Sequence, residues 1–132
     1  MRTSLAQQPQ PQPRPHPTGM QHHQMDQQMH LQRMREMQQF HDQLMQQIRE
    51  TNQWMTQQRT QESFREMGQS MEQMGDRVRE MLRQMDRLHQ DQALMRDQDR
   101  LRDLDRLRTR LHDMSRDLEQ AHDALRKMIH KP

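Results

Sequence analysis

The most visible absences in this 132-residue sequence are cysteine and tyrosine, and it has only one tryptophan and two phenylalanines. Without cysteine the chain can form no disulfide and offers no thiolate to a metal ion. Glycine occurs three times, and the six prolines lie in the first 17 residues or at the last position. With one valine and two isoleucines, the sequence is also poor in the residues that favour β-strands. These absences leave helix as the expected regular structure.

Long apolar runs are absent as well. Hydrophobic residues make up 29% of the chain, and no run approaches the roughly 20 residues that a membrane-spanning helix needs. Leucine, isoleucine, valine and phenylalanine together account for 17 of the 132 residues, which is little for a globular core. The abundant residues, among them glutamine, methionine, arginine and leucine, are good helix formers. The sequence therefore predicts an all-α fold of elongated, coiled-coil-like helices, which need only a narrow apolar stripe.

Three segments are expected along the chain. Residues 1–19 alternate proline with polar residues, which blocks helix and predicts a disordered Pro/Gln-rich tail. Residues 20–60 form a helix rich in methionine, histidine and glutamine, and residues 61–131 form a long region with a heptad pattern. The chain is expected to reverse near 51–62 or 68–75, and Ser63 and Glu66 have the spacing of a capping box. The 76–131 segment lacks glycine, proline and asparagine, which permits one helix of about 55 residues.

The heptad pattern appears as three stripes of apolar residues spaced alternately by three and four, as in the packing surface of a coiled coil. The first contains Met34, Met37, His41, Leu44 and Ile48; the second contains Phe64, Met67, Met71, Met74, Val78, Met81, Met85 and Leu88; the third contains Leu104, Leu107, Leu111, Met114, Leu118, Ala121, Leu125 and Met128. The second and third are out of phase, because Leu88 and Leu104 are 16 residues apart, and such a slip marks a bend or a change of supercoil. Two geometries remain open: an antiparallel hairpin or small bundle, and a long coiled coil of two or more chains.

Catalytic patterns are hard to find. Ser63, Ser70 and Ser115 lie in helical segments without the glycine-rich turn that exposes a nucleophile. The carboxylates fall on solvated helix faces, where nothing shifts their pKa toward a catalytic role. We therefore expect no enzymatic activity, no catalytic residue and no organic cofactor.

The stretch Met20–Met45 holds six methionines and four histidines. On a helix, residues four apart have Cβ atoms about 5–6 Å apart, so two side chains could share one ion. Thioethers suit Cu(I) and Ag(I), and imidazole suits copper and zinc. The alternative is packing, since methionine at helical spacing commonly fills cores; Met81, Met85 and His89 form a weaker second candidate. The candidate ligands are His22, His23, Met25, Asp26, Met29, His30, Met34, Met37, His41 and Met45.

This stretch resembles the methionine- and histidine-rich proteins that sequester copper and silver in the bacterial periplasm. The likeness covers residues 20–45 and rests on His22 and Met25, a His-x-x-Met motif, and on histidines and methionines spaced by four. The resemblance implies sequestration of copper or silver. The helical periplasmic chaperones are similar in composition, but the Leu-Thr-x-x-Gln motif that marks them is missing here.

The partners that the sequence predicts are other helices. The net charge is only +2, with 21 basic and 19 acidic residues interspersed, so we do not expect nucleic acid as a partner. We expect self-association or binding to a helical protein through the heptad stripes, with soft-metal sequestration by residues 20–45 as the alternative function. If Ser4-Leu5-Ala6 is the end of a truncated signal peptide, the protein is periplasmic or secreted; otherwise it is cytoplasmic.

Overall fold

The computed structural model describes residues 19–130, with side chains for Met25 and for residues 27–130. In this range the chain forms four helices and no strand, which confirms the all-α prediction. The helices are α1 (Gly19–Gln57), α2 (Glu62–His89), the single turn α3 (Gln92–Met95) and α4 (Gln98–Ile129). Apart from Gly19, the predicted tail lies outside the described residues.

The three long helices pack side by side, and each contacts the other two. Asn52 Nδ2 of α1 donates to the Gly68 carbonyl of α2, and His41 contacts the Gly75 carbonyl. From the first of these contacts to the second, the residue number falls on α1 and rises on α2, so the two helices are antiparallel. His41 and Thr51 of α1 pair with Ser115 and His122 of α4, so α1 and α4 are parallel. Of the two open geometries, the single chain adopts the small antiparallel bundle.

The chain reverses between α1 and α2 at residues 58–61, inside one of the two predicted ranges. Arg59 has a left-handed backbone (φ 51°), and the Thr60 amide donates to the Met55 carbonyl at 3.0 Å. The Arg59 amide donates to the carbonyl of Thr56 at 3.3 Å. This is a Schellman ending, in which the residue after the helix turns left-handed and satisfies the last carbonyls.

The expectation that one helix could run through 76–131 is wrong, because α2 ends at His89 and α4 begins at Gln98. Asp91 Oδ1 accepts from the amides of Ala93 and Leu94, and so caps α3. Asp97 Oδ1 caps α4 in the same way. Aspartate competes with the helix by bonding the backbone two and three residues on. The two caps lie within the interval where the heptad stripes change phase.

The predicted capping box is also not formed. Gln61 is the N-cap of α2 and makes no side-chain cap bond, and Ser63 is already inside the helix. The beginning of α2 is fixed instead by the tight turn that follows α1.

Two apolar clusters fill the bundle. Helices α1 and α4 enter the first cluster before the second, the antiparallel α2 enters them in the reverse order, and α3 enters only the first. The clusters are therefore stacked along the bundle axis. The first consists of Met34, Met37, Val78, Leu82, Met85, Met95, Leu101, Leu104 and Leu111. The second consists of Leu44, Met45, Ile48, Met55, Met71, Leu118, Leu125 and Ile129.

The buried faces of the helices follow the predicted stripes to different degrees. All five stripe residues of α1 are buried. On α2 and α4 every second stripe residue is exposed, except the half-buried Met81, and the residue one position later is buried instead, except Arg108, which is half-buried. The residues that take those places on α2 are Gly68, Gly75, Leu82 and His89, and on α4 they are Ser115, His122 and Ile129. The buried faces are therefore rotated toward small and polar residues.

The glycines explain the rotation of α2. A Cβ at Gly75 would collide with the Met45 thioether, and one at Gly68 would collide with the Asn52 side chain. Two helices come close where one of them carries glycine, and packing density in the interior leaves no room for an added methyl group. Helix α2 thus turns its glycines to α1, and its alternate methionines turn outward.

Candidate functional site: polar layers and an exposed apolar strip

The layer between the two apolar clusters is polar and fully paired. His41 Nε2 lies 2.7 Å from the Gly75 carbonyl, and its Nδ1 lies 2.9 Å from Ser115 Oγ. Because a carbonyl only accepts, Nε2 carries the proton, and the Ser115 hydroxyl donates to Nδ1. His41 and Ser115 are both 0% exposed. We call this set, His41, Gly75 and Ser115, the middle layer.

A serine bonded to a histidine is also the arrangement of an activated nucleophile. In the middle layer, however, the hydroxyl is fully buried and the second nitrogen of the histidine is held by a helix carbonyl. A substrate could not reach Ser115 Oγ without opening the bundle. The geometry therefore suits a neutral histidine that joins three helices.

A second buried histidine makes a similar contact further along the bundle. Thr51 Oγ1 lies 2.8 Å from His122 Nε2 and 3.0 Å from the Gln47 carbonyl. The hydroxyl donates to one of these partners. This pair links α1 to α4 within the second apolar cluster.

A different arrangement occurs beside the connection between α2 and α4. The rings of His30 and His89 have their centroids 6.0 Å apart, and the planes are inclined by 52°. His89 Nδ1 lies 3.0 Å from the Met85 carbonyl, and His30 Nδ1 lies 3.5 Å from Asp105 Oδ1. Two nitrogens, His30 Nδ1 and His89 Nε2, are buried without a hydrogen-bond partner among the described residues. We call His30, His89 and Asp105 the end layer.

Burial acts in the same direction on His30 and His41, and the group that opposes its effect differs between the two layers. Burial lowers the pKa of His30, and the Asp105 carboxylate partly offsets this. Burial also lowers the pKa of His41, and its contact with the Gly75 carbonyl acts in the opposite direction. Desolvation penalises the charged imidazolium in both places, so both histidines favour the neutral form.

The predicted metal ligands are dispersed by the fold. Met25 and Met29 are exposed, whereas the remaining methionines of the set are buried in the two apolar clusters. His41 is held in the middle layer, and His30 lies in the end layer. The side chains of His22, His23 and Asp26 lie outside the described residues. The buried methionines of the set are Met34, Met37 and Met45.

The sequence did not indicate the pairing in the end layer. His30 and His89 come from different helices, and Asp105 comes from a third. One signal of burial was present in the sequence. His30 and His89 each stand four residues from a buried methionine on their own helix, at the end of an apolar stripe. Helical spacing can place such residues on a buried face but cannot tell which histidine meets which.

A second unusual surface is formed by the alternate stripe residues of α2 and α4. Met67 and Met74 directly precede the glycines that face α1, and Met114 directly precedes Ser115. Successive residues of a helix are about 100° apart, so these side chains are turned out of the contact with α1 and are exposed. Six of them are between 38% and 56% exposed. We call them the exposed strip: Met67, Met74, Leu88, Leu107, Met114 and Met128.

The described part of the chain has neither a membrane-spanning helix nor a larger cluster of metal-binding side chains. None of its helices has the length and hydropathy to cross a membrane. Among residues 27–130, whose side chains the structure describes, no three or more histidine, aspartate or glutamate side chains are grouped so that they could surround a metal ion. No family model, curated protein or solved structure matches this chain.

Proposed function

We propose that this protein acts without catalysis, by self-association through the exposed strip. The observation that carries the proposal is the strip itself, six large apolar side chains in two parallel rows on the outside of the bundle. Isolated exposed leucines and methionines are ordinary, but contiguous rows of them mark surfaces that other proteins cover.

The dimensions of the strip fit another helical surface. Met67 to Leu88 and Leu107 to Met128 each span 21 residue steps, which is about 32 Å of helix at 1.5 Å per residue. Within each row the residues recur every seven positions, or every fourteen where one of them is half-buried or alanine. That spacing is the one by which helices pack along their length.

A second copy of the same chain is the occupant that we propose. The two rows have equal length and run on antiparallel helices, so a twofold axis across the strip can set the α2 row of one copy against the α4 row of the other. Such a contact is isologous and closes at two copies. Both copies would bury apolar side chains that the single chain leaves in water.

The charges beside the strip do not oppose this contact. On α2, Arg77 lies next to the strip with Glu80 one turn on, and on α4 Arg110 and Asp117 lie one turn before and one turn after Met114. Charges of both signs thus border each row. Mixed signs allow ion pairs between copies, whereas a single sign would repel a second copy.

Light scattering tests the proposal on the full chain. Wild type should have twice the mass of one chain at high micromolar concentration, and Met74→Glu with Met114→Glu should return it to the mass of one chain. Gln73→Glu with Asp113→Gln is the matched control, because it changes the same helices beside the strip and should keep the dimer. A wild-type mass of one chain would refute self-association.

The absence of cysteine permits a direct test of the surface. A single spin label on Met114→Cys should report a short distance between copies, because Met114 lies near the centre of its row. A label on Met29→Cys of α1, also exposed, should report a longer distance. If the label at position 29 gives the shorter distance, the copies meet through another face.

A further inference from the structure

Two imidazoles of the end layer, those of His30 and His89, are held in the manner of metal-binding histidines. The Met85 carbonyl accepts from His89 Nδ1, so the proton is on Nδ1 and His89 Nε2 keeps a lone pair that no group of the described residues uses. The Asp105 carboxylate faces His30 Nδ1 at 3.5 Å, which favours a proton there and leaves the lone pair on His30 Nε2. Metal-binding histidines are commonly held this way, with the second nitrogen directed at a carbonyl or carboxylate.

We propose that His30 and His89 bind one soft monovalent cation, Cu(I) or Ag(I), between their Nε2 atoms. The bond from an imidazole nitrogen to the ion is about 2 Å long, and the ring centroid lies about 1.1 Å behind that nitrogen. Two imidazoles on one ion therefore have their centroids about 5 Å apart when the nitrogen–ion–nitrogen angle is tetrahedral, and about 6 Å apart when it is linear. The observed separation is 6.0 Å. This separation is the one that a nearly linear complex requires when both Nε2 atoms turn toward the ion, and closed-shell monovalent ions accept such a complex.

The surrounding charge favours a single positive charge on the ion. Asp105 is shared with Arg33 at 3.3 Å and with Arg108 at 3.1 Å. Two guanidinium groups and one carboxylate leave the neighbourhood positive before any ion binds. A divalent cation would meet twice the repulsion of a monovalent one, and imidazole is a ligand that copper accepts.

An ion has both a route and additional soft donors. His89 and Met95 line a cleft of about 310 Å³ that is open to solvent on the side of α3. Only 8% of His30 and 7% of His89 is exposed. Met34 and Met85 lie one turn from His30 and His89 on the same helices and in the same apolar cluster, so a thioether can complete the coordination of a soft ion.

Titration of the full chain with silver nitrate in chloride-free buffer tests the site. Calorimetry should show that either His30→Leu or His89→Leu abolishes the same single equivalent of bound silver. Circular dichroism should show that neither variant changes the helicity. Asp105→Asn should weaken that equivalent by about tenfold, because it removes the carboxylate behind His30. His130→Asn is the control histidine variant, and it should bind silver like wild type.

A measurement on the wild type does not depend on how variants fold. In nitrogen NMR spectra, silver should shift His30 Nε2 and His89 Nε2 while both Nδ1 atoms keep their protons. The site is disproved if silver shifts only the signals of other histidines. It is also disproved if the triple variant His22→Gln, His23→Gln and Met25→Leu loses all silver binding while His30→Leu loses none. If Zn²⁺ shifts the same two nitrogens at lower concentration than silver, the assignment to a soft monovalent ion is wrong.

Discussion

The middle layer and the end layer are both built from buried histidines between helices, and they differ in how completely the imidazoles are paired. In the middle layer both nitrogens of His41 have partners within 2.9 Å. In the end layer His30 Nδ1 and His89 Nε2 have none among the described residues. A paired imidazole stabilises one packing arrangement, whereas an unpaired one costs free energy until something binds it. The comparison separates a histidine that holds the fold from two that are available to a ligand.

The largest effect is expected from breaking the middle layer. His41→Leu removes the partner of the Ser115 hydroxyl, which stays fully buried, and should lower the free energy of unfolding by about 2–3 kcal/mol. Urea unfolding followed by circular dichroism measures this change. Adding Ser115→Ala should recover part of the loss, since no unpaired hydroxyl then remains. If His41→Leu is as stable as wild type, the paired layer contributes nothing and the comparison fails.

Acid should act on both layers, and more strongly on the middle one. The pKa of His30 and of His41 lies below the ordinary 6.5 in the folded chain, so the unfolded chain binds protons more readily. Stability should be constant above about pH 7.5, and it should fall below about pH 6.5 by at most about 1.4 kcal/mol per pH unit for each group. The loss ends once the folded pKa is passed. The charged groups facing them are Asp105, His89, Arg33 and Arg108 for His30, and Arg79, Asp42 and Asp76 for His41.

The two layers can be separated in the same experiment. Protonation of His41 Nδ1 would cost the bond from Ser115, while protonation of His30 is eased by Asp105. The variant His30→Leu should therefore keep most of the acid dependence, measured as the unfolding midpoint in urea against pH. An acid dependence that disappears in His30→Leu would place the sensitive group in the end layer instead.

Composition and spacing were enough to predict helices and the buried face of α1, and they gave two alternative ranges for the chain reversal, of which 51–62 contains it. They did not locate the end of α1, because the left-handed position is taken by Arg59 rather than by the glycine or asparagine that usually marks it. The phase slip between Leu88 and Leu104 indicated a bend or a change of supercoil, but it did not indicate that Asp91 and Asp97 would end and restart the helix there. Aspartate is tolerated inside helices, so its role as a cap depends on the packing that bends the chain there.

The stripes of α2 and α4 show a second limit of prediction from spacing. A heptad pattern of methionine and leucine indicates an apolar side, but the closest contact in the bundle goes to glycine, serine and histidine instead. Met74 and Met114 are therefore exposed, while Gly75 and Ser115 are buried beside them. The close approach of α2 and α4 to α1 sets the rotation of these two helices, and this approach depends on how all three helices pack together. For the same reason the end layer, whose members come from three helices, could not be predicted from any one segment.

The end layer should also be the easier of the two to open, because it adjoins the capped turns. Asp97→Ala removes a side-chain cap from α4 and should cost about 1 kcal/mol. Hydrogen exchange should become faster at the end of α2 around Met85 and His89, while amides near Gly75 exchange as in wild type. The matched variant Asp99→Ala leaves the cap in place and should change neither region. Equal acceleration at both layers would mean that the bundle opens only as a whole.

The smallest effect is expected from His30→Leu without metal, and it is the sharpest test of the comparison. Leucine removes a buried nitrogen that has no hydrogen bond, and Asp105 keeps Arg33 and Arg108 as partners. The lost contact with Asp105 is long, at 3.5 Å, so the free energy of unfolding should rise by up to about 1 kcal/mol. Urea unfolding in the presence of a chelator measures this, with His41→Leu in the same series. A loss as large as that of His41→Leu would show that both layers hold the fold, and that the end layer is not kept for a ligand.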